Sequence, residues 1–196
     1  MQLLKWLLAG LVLLSVIWYL LTLYVQRPGQ AFSKDLSKKS AEKKALLVFD
    51  PDPFFNLDEI VCTSFAHALN EFNFNAHLRS PSSVNTSLLE GIDLLVLCSN
   101  TYNWAPDNGI RSFWENYPNP EGQKTVLITL GGGSTARSRR LMEKAIVLKN
   151  ADLIGSEEFW AWKPNDEERM DEKNIDVARE MAYEWASTVL DKQFTD

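Results

Sequence analysis

Three short stretches hold the residue types that could do chemistry. Asn100-Thr101-Tyr102-Asn103-Trp104-Ala105-Pro106 sets amides, a hydroxyl and two large rings side by side, a combination suited to stacking on a planar group. Gly131-Gly132-Gly133-Ser134 precedes Arg137, Arg139 and Arg140, and a flexible backbone at a helix start with arginines nearby suits an anion. Asp50-Pro51-Asp52 spaces two carboxylates two residues apart, which fits either Mg²⁺-assisted chemistry or a turn with a helix cap. His67 and His77 are isolated, and no Ser-His-Asp arrangement is discernible. The two cysteines, Cys62 and Cys98, lack metal spacing and read as free thiols of a reduced compartment.

The elements that must position these stretches follow from periodicity. Ile92–Cys98 is a nearly continuous apolar run, the signature of a strand buried on both faces. Ala45–Phe49, Phe74–Leu78, Lys124–Leu130 and Ala151–Gly155 supply four further strands. Between them, Leu57–Phe72 carries Val61, Phe65, Ala68, Leu69 and Phe72 at helical spacing, with Asn56 as its cap. Helices are also read at about 108–116, 135–148 and 175–190, the last with Ala178, Met181, Ala182, Trp185 and Val189 on one face. Pro81–Glu90 is a loop with one helical turn, and Phe159, Trp160 and Trp162 close the core or wall a pocket. Five strands alternating with helices imply a three-layer α/β domain over 45–196 with a doubly wound parallel sheet. In such a sheet, ligands bind at the carboxyl ends of the strands, where the strand order reverses.

Charge and hydropathy divide the chain unevenly. Residues 1–44 hold seven basic and two acidic side chains, a formal +5, so the remainder carries −11 of the overall −6. An acidic body excludes nucleic acid as a partner, since that binding depends on neutralising phosphates. From Trp6 to Gln26 there is no charge, and aromatic residues lie near both ends. That is long enough to cross a hydrocarbon core of about 30 Å and longer than a signal peptide's core. The reading is a five-residue tail, a single membrane span over 6–26 and a basic tether over 27–44 resting on lipid head groups. Arg27, Lys34, Lys38 and Lys39 beyond the span place the body on the cytoplasmic side.

With its elements in this order, the chain resembles the flavodoxin-like family. The loop Asn100–Pro106 is similar to the aromatic loop that lies against the isoalloxazine ring. Thr129–Ser134 is similar to the segment meeting the ring's polar edge, and Phe159–Asp166 before a closing helix fits the same pattern. The resemblance implies an FMN cofactor held by Asn56, Asn100, Thr101, Tyr102, Asn103, Trp104, Gly131, Gly132, Gly133 and Ser134. It also implies electron transfer or quinone reduction with NAD(P)H or a redox protein as partner. The departure is the loop after the first parallel strand, Asp50-Pro51-Asp52-Pro53-Phe54-Phe55-Asn56. Where the family holds the flavin phosphate, this loop has no Gly, Ser or Thr, two prolines and two carboxylates. That departure opens a second expectation, a flavin-free binding or scaffold module of the same fold at the membrane. A second resemblance, of Leu46–Asp52 to the opening motif of haloacid-dehalogenase-like phosphatases, would make Asp50 a nucleophile and Asp52 a general acid.

Overall fold

In the computed structural model, which describes residues 2–37 and 41–194, a long helix leads into an α/β body. Helix α1 (Gln2–Val25) is apolar all round and buries no residue against the protein. It absorbs the expected amino-terminal tail from Gln2 onward, because Leu3, Leu4 and Lys5 are good helix formers and nothing there breaks the pattern. The body contains β1 (Ser33–Leu36), β2 (Lys43–Phe49), α2 (Leu57–Glu71), β3 (Phe74–Arg79), β4 (Leu94–Tyr102) and β5 (Ala105–Pro106). It continues with α3 (Asn108–Glu115), β6 (Lys124–Gly131), α4 (Ala136–Leu148), β7 (Asp152–Trp160) and α5 (Asn174–Phe194).

The strand order is β1-β3-β2-β4-β6-β7, with β5 paired to β4 alone. The run from β3 to β7 is parallel throughout, so the five expected strands form the doubly wound core. Their residues explain this. Ala45–Phe49 and Leu94–Cys98 are fully buried, and only strands covered on both faces keep uninterrupted apolar runs. One apolar cluster lies under α2 and α5, around Phe65, Phe74, Phe159 and Leu190. The other lies under α3 and α4, around Trp114, Ile110, Met142 and Ile146. The order reverses between β2 and β4, so the crevice lies between Asp50 and Asn100.

Three expectations are corrected. Part of the tether is a strand: β1 pairs antiparallel with β3, and Asp35 meets both His77 Nδ1 at 2.7 Å and Arg79 at 2.6 Å. The alternation Phe32, Lys34, Leu36 is too short to register as a strand, and its partner lies more than 40 residues away. Burial would raise the Asp35 carboxyl, but hydrogen bonds from His77 and Arg79 hold it below its usual range. Lys38 and Lys39 of the expected tether lie outside the described residues. The last strand runs on to Trp160, because Ser156, Glu157 and Glu158 pair with Leu127, Ile128 and Thr129 along an edge where polar side chains are tolerated. Asn56 stands at the cap position of α2 without a side-chain cap bond, and in the first turn it is Asp58 Oδ1 that accepts from the Glu59 N–H.

Candidate functional site

A cleft of about 660 Å³ opens at the carboxyl ends of β2, β4 and β6. Its lining comes from the first loop (Asp52, Phe54, Phe55, Leu57), from Asn100–Trp104, from Gly131–Ser134, from Ala161 and Trp162, and from Trp18, Leu21, Thr22 and Val25 of α1. The structure therefore brings together nine of the ten residues expected to hold a cofactor. Asn56 is exposed and does not line the cleft.

The loop after β4 is a hairpin. Tyr102 pairs with Ala105 and Thr101 with Pro106, leaving Asn103-Trp104 as a two-residue turn. Both have positive φ, 51° and 61°. A turn of this kind normally takes Asn followed by Gly, and Asn103 fits. Trp104 does not: a tryptophan in the left-handed region costs about 1–2 kcal/mol. The strain holds an indole at the mouth of the cleft, 55% exposed. Tyr102 lines the cleft too, with its hydroxyl donating to Asp52 Oδ2 at 2.5 Å and so tying the ring to the first loop. Burial first, and then that carboxylate, push the phenol far above its ordinary range. Asn100 is a strut. Its amide donates to the Asp50 carbonyl and to Asp58 Oδ2, each at 3.1 Å, and so ties the two sides of the crevice together.

The glycines are needed for close packing. Side chains at Gly132 and Gly133 would strike Trp162 and Lys163, and one at Gly131 would strike Thr135. Gly131 and Gly132 carbonyls accept from Ala161, Trp162 and Lys163 backbone N–H groups at 2.8–3.2 Å. This seats Trp162 against Gly132 and edge-on to Phe55 at 5.8 Å between centroids. The expected anion site is not assembled there, because Arg139 is engaged by Glu143, Glu158 and Ser156 while Arg137 and Arg140 are exposed. Thr101 Oγ1, buried beside Gly131, makes no hydrogen bond.

Two residues without any sequence signal hold this wall. Asn165 Oδ1 accepts from the Trp160 N–H and its amide donates to the Trp160 carbonyl. Asn174 Oδ1 accepts from the Asn165 N–H, and its amide donates to the carbonyls of Trp160, Ala161 and Lys163 at 2.8–3.2 Å. Isolated asparagines in an irregular acidic stretch read as loop residues, and only the fold shows that they clip Trp162 in place.

The first loop is filled by its own acids. Asp52 Oδ1 accepts from the N–H groups of Phe54 and Phe55 at 2.7 and 2.9 Å, and Asp58 Oδ2 accepts from Asp52 N–H at 2.7 Å. Asp50 Oδ1 accepts from Gly29 N–H at 2.8 Å. Asp107 caps α3 through Ile110 N–H at 2.8 Å and accepts from Ser99 at 3.0 Å. Burial pushes Asp58 up to about 6 and Asp107 up to about 7, and raises Asp50 as well. Asp52 thus closes the turn before α2, while Asp50 ties that turn to the segment after α1. Among the described residues no group of three or more His, Cys, Asp or Glu side chains converges to hold a metal.

An archaeal flavodoxin superposes with a TM-score of 0.55 at 13% identity, covering 74% of this chain and 98% of that one. Flavodoxin 2 of Bacillus cereus gives 0.57 at 17% identity, covering 76% and 99%. The fold is that of the flavodoxins. The rubredoxin oxygen:oxidoreductase of Desulfovibrio gigas gives 0.58 at 11% identity over 79% of this chain, which spans 38% of that longer protein. No protein-family model matches the sequence, and no curated protein is found similar to it.

The flavodoxin fold implies FMN, and the residues here fit half of it. Trp104, Trp162, Phe55 and the glycine loop line a slot with the aromatic walls that a planar ring would need, and the buried Thr101 hydroxyl beside it is unpartnered. The phosphate end does not fit. The loop N–H groups of Phe54 and Phe55 just before α2 already bind the Asp52 carboxylate, the Glu59 N–H in its first turn binds Asp58, and Asp58 is buried behind the loop. A phosphate would have to displace one carboxylate and sit against two more.

Proposed function

We propose that the protein is a membrane-anchored binding module of flavodoxin fold, whose cleft takes a planar, uncharged ring system without a phosphate anchor. The observation that carries this reading is the occupation of the α2 entry by Asp52 and Asp58 while the ring side remains open. The anchor rests on α1, the one helix among the described residues long and apolar enough to span a membrane. Its all-round apolar surface has no protein partner over most of its length, which suits lipid and not water. Arg27 and Lys34 after the span favour a cytoplasmic body, which protease treatment of intact cells would leave uncut.

Redox use of the cleft is the second reading. It is favoured by the convergence of the hairpin and the glycine loop, the two loops that would face a flavin ring. A bound flavin would supply the electron chemistry itself. Trp104, Trp162 and Thr101 would orient and shield its ring, and Asp52 would keep Tyr102 neutral and out of proton exchange.

The strained Trp104 gives a direct test. Trp104→Gly relieves the left-handed backbone and raises stability by about 1 kcal/mol, while removing one stacking face and weakening riboflavin binding by about tenfold. Thermal melting and quenching of riboflavin fluorescence by the full chain in detergent read the two effects separately. If both stability and binding fall, Trp104 is a packing residue and the ring slot is misassigned.

A further inference from the structure

We infer that the carboxyl edge of the sheet, with the mouth of the cleft, lies on the bilayer that α1 spans, at the level of the lipid head groups. The inference rests on the membrane anchor proposed above and goes beyond it, because an anchored domain is free in principle to hang away from the surface on its tether. Here no slack exists at the relevant point. The last two turns of α1 are themselves a wall of the cleft, through Trp18, Leu21, Thr22 and Val25. They are joined to it by Asn103 Nδ2 donating to Thr22 Oγ1 at 2.8 Å and by Tyr24 against Phe54 at 5.7 Å. Just beyond the helix, Asn108 N–H donates to Gln26 Oε1 at 2.9 Å, and Gly29 is held by Asp50.

Length then decides the level. At about 1.5 Å per residue, the part of α1 before Trp18 covers roughly 24 Å, which is short of a hydrocarbon core of about 30 Å. A spanning α1 must therefore draw residues from Trp18–Val25 into the membrane, and the cleft wall goes with them. The surface around the mouth suits that position. Phe54, Trp104 and Trp162 are 60, 55 and 74% exposed, an aromatic rim of the kind that settles at the membrane interface. Arg27 and Lys163 flank it with positive charge, Arg27 lying 5.9 Å from the Tyr24 ring centre and Lys163 3.9 Å from that of Trp160. The ligand class follows. An amphiphile with a planar, uncharged head, dissolved in the bilayer, reaches this slot without crossing water.

The test uses the full chain in phosphatidylcholine nanodiscs, with an environment-sensitive fluorophore on single introduced cysteines. The native Cys62 and Cys98 are fully buried and stay unlabelled under native conditions. Labels go on Leu13→Cys in mid-helix, on Phe54→Cys and Trp162→Cys at the rim, and on Glu121→Cys at the amino edge of the sheet. Nitroxide lipids carrying the quencher in the head group or deep in the acyl chain report depth. The expected result is deep quenching at position 13 and at least threefold stronger head-group quenching at 54 and 162 than at 121. Deep quenching at 13 with rim labels no more quenched than 121 overturns the docking and leaves the anchor standing. Absence of quenching at 13 overturns the anchor itself, and the docking with it.

Discussion

Asp107→Asn is expected to make the protein more stable at pH 8 and to leave it nearly unchanged at pH 4. The folded carboxyl is raised by burial to about 7, against about 3.9 in an unfolded chain. Between those values the folded state holds a proton that the unfolded state has released. Stability is therefore fully present below about pH 4 and is lost as pH rises through about 7. Asp58, raised to about 6, acts in the same direction. Asparagine keeps an oxygen for the Ile110 N–H, and the Ser99 hydroxyl can turn to accept from the new amide. Removing the titration should recover roughly 2–4 kcal/mol at pH 8, on the order of 5–10 °C in the melting midpoint. Melting curves of both proteins from pH 4 to 8 check this. A variant less stable than the parent at pH 8 would mean that the Asp107 charge is compensated in the folded state.

Asn174→Ala carries the second large effect. It removes an oxygen that accepts from both the Asn165 N–H and the Asn165 amide, and an NH2 whose two hydrogens are shared among the carbonyls of Trp160, Ala161 and Lys163, of which Trp160 alone keeps a bond from Asn165. A loss of about 2–3 kcal/mol in stability is expected. Well below the melting point, where the variant remains folded, riboflavin binding should fall by about tenfold, because Trp162 loses the clip that seats it on Gly132. Asn174→Asp separates the roles, since it keeps the acceptor for Asn165 N–H and discards the donors. Equal binding by the parent and both variants would show that the Trp160–Lys163 segment holds its position by backbone bonds alone.

Such contrasts mark where sequence reasoning succeeds. The five parallel strands were legible because their burial on both faces leaves uninterrupted apolar runs. The two loops that line the cleft after β4 and β6 were legible because Asn-Trp-Ala-Pro and Gly-Gly-Gly-Ser break those runs at strand ends. The first loop's lack of Gly, Ser and Thr already marked its departure as a phosphate holder. Three features were hidden for physical reasons. The pairing of β1 with β3 depends on a non-local partner and on the Asp35–His77–Arg79 contacts. The roles of Asn165 and Asn174 depend on carbonyls that converge only in three dimensions. The tie from Tyr102 to Asp52 crosses 50 residues of chain, so nothing local marks the cross-link that this hydroxyl makes to the first loop.

That tie, with Asp58 behind it, is the structural reason for expecting the cleft to accept a ring and refuse a phosphate. The measurement that bears most directly on this is a pair of equilibrium titrations of the full chain in detergent, one with riboflavin and one with FMN. The two ligands share the ring and differ in the phosphate. Riboflavin is expected to bind at least tenfold more tightly, with Asp52→Asn narrowing the gap. FMN binding equal to or tighter than riboflavin would contradict the account.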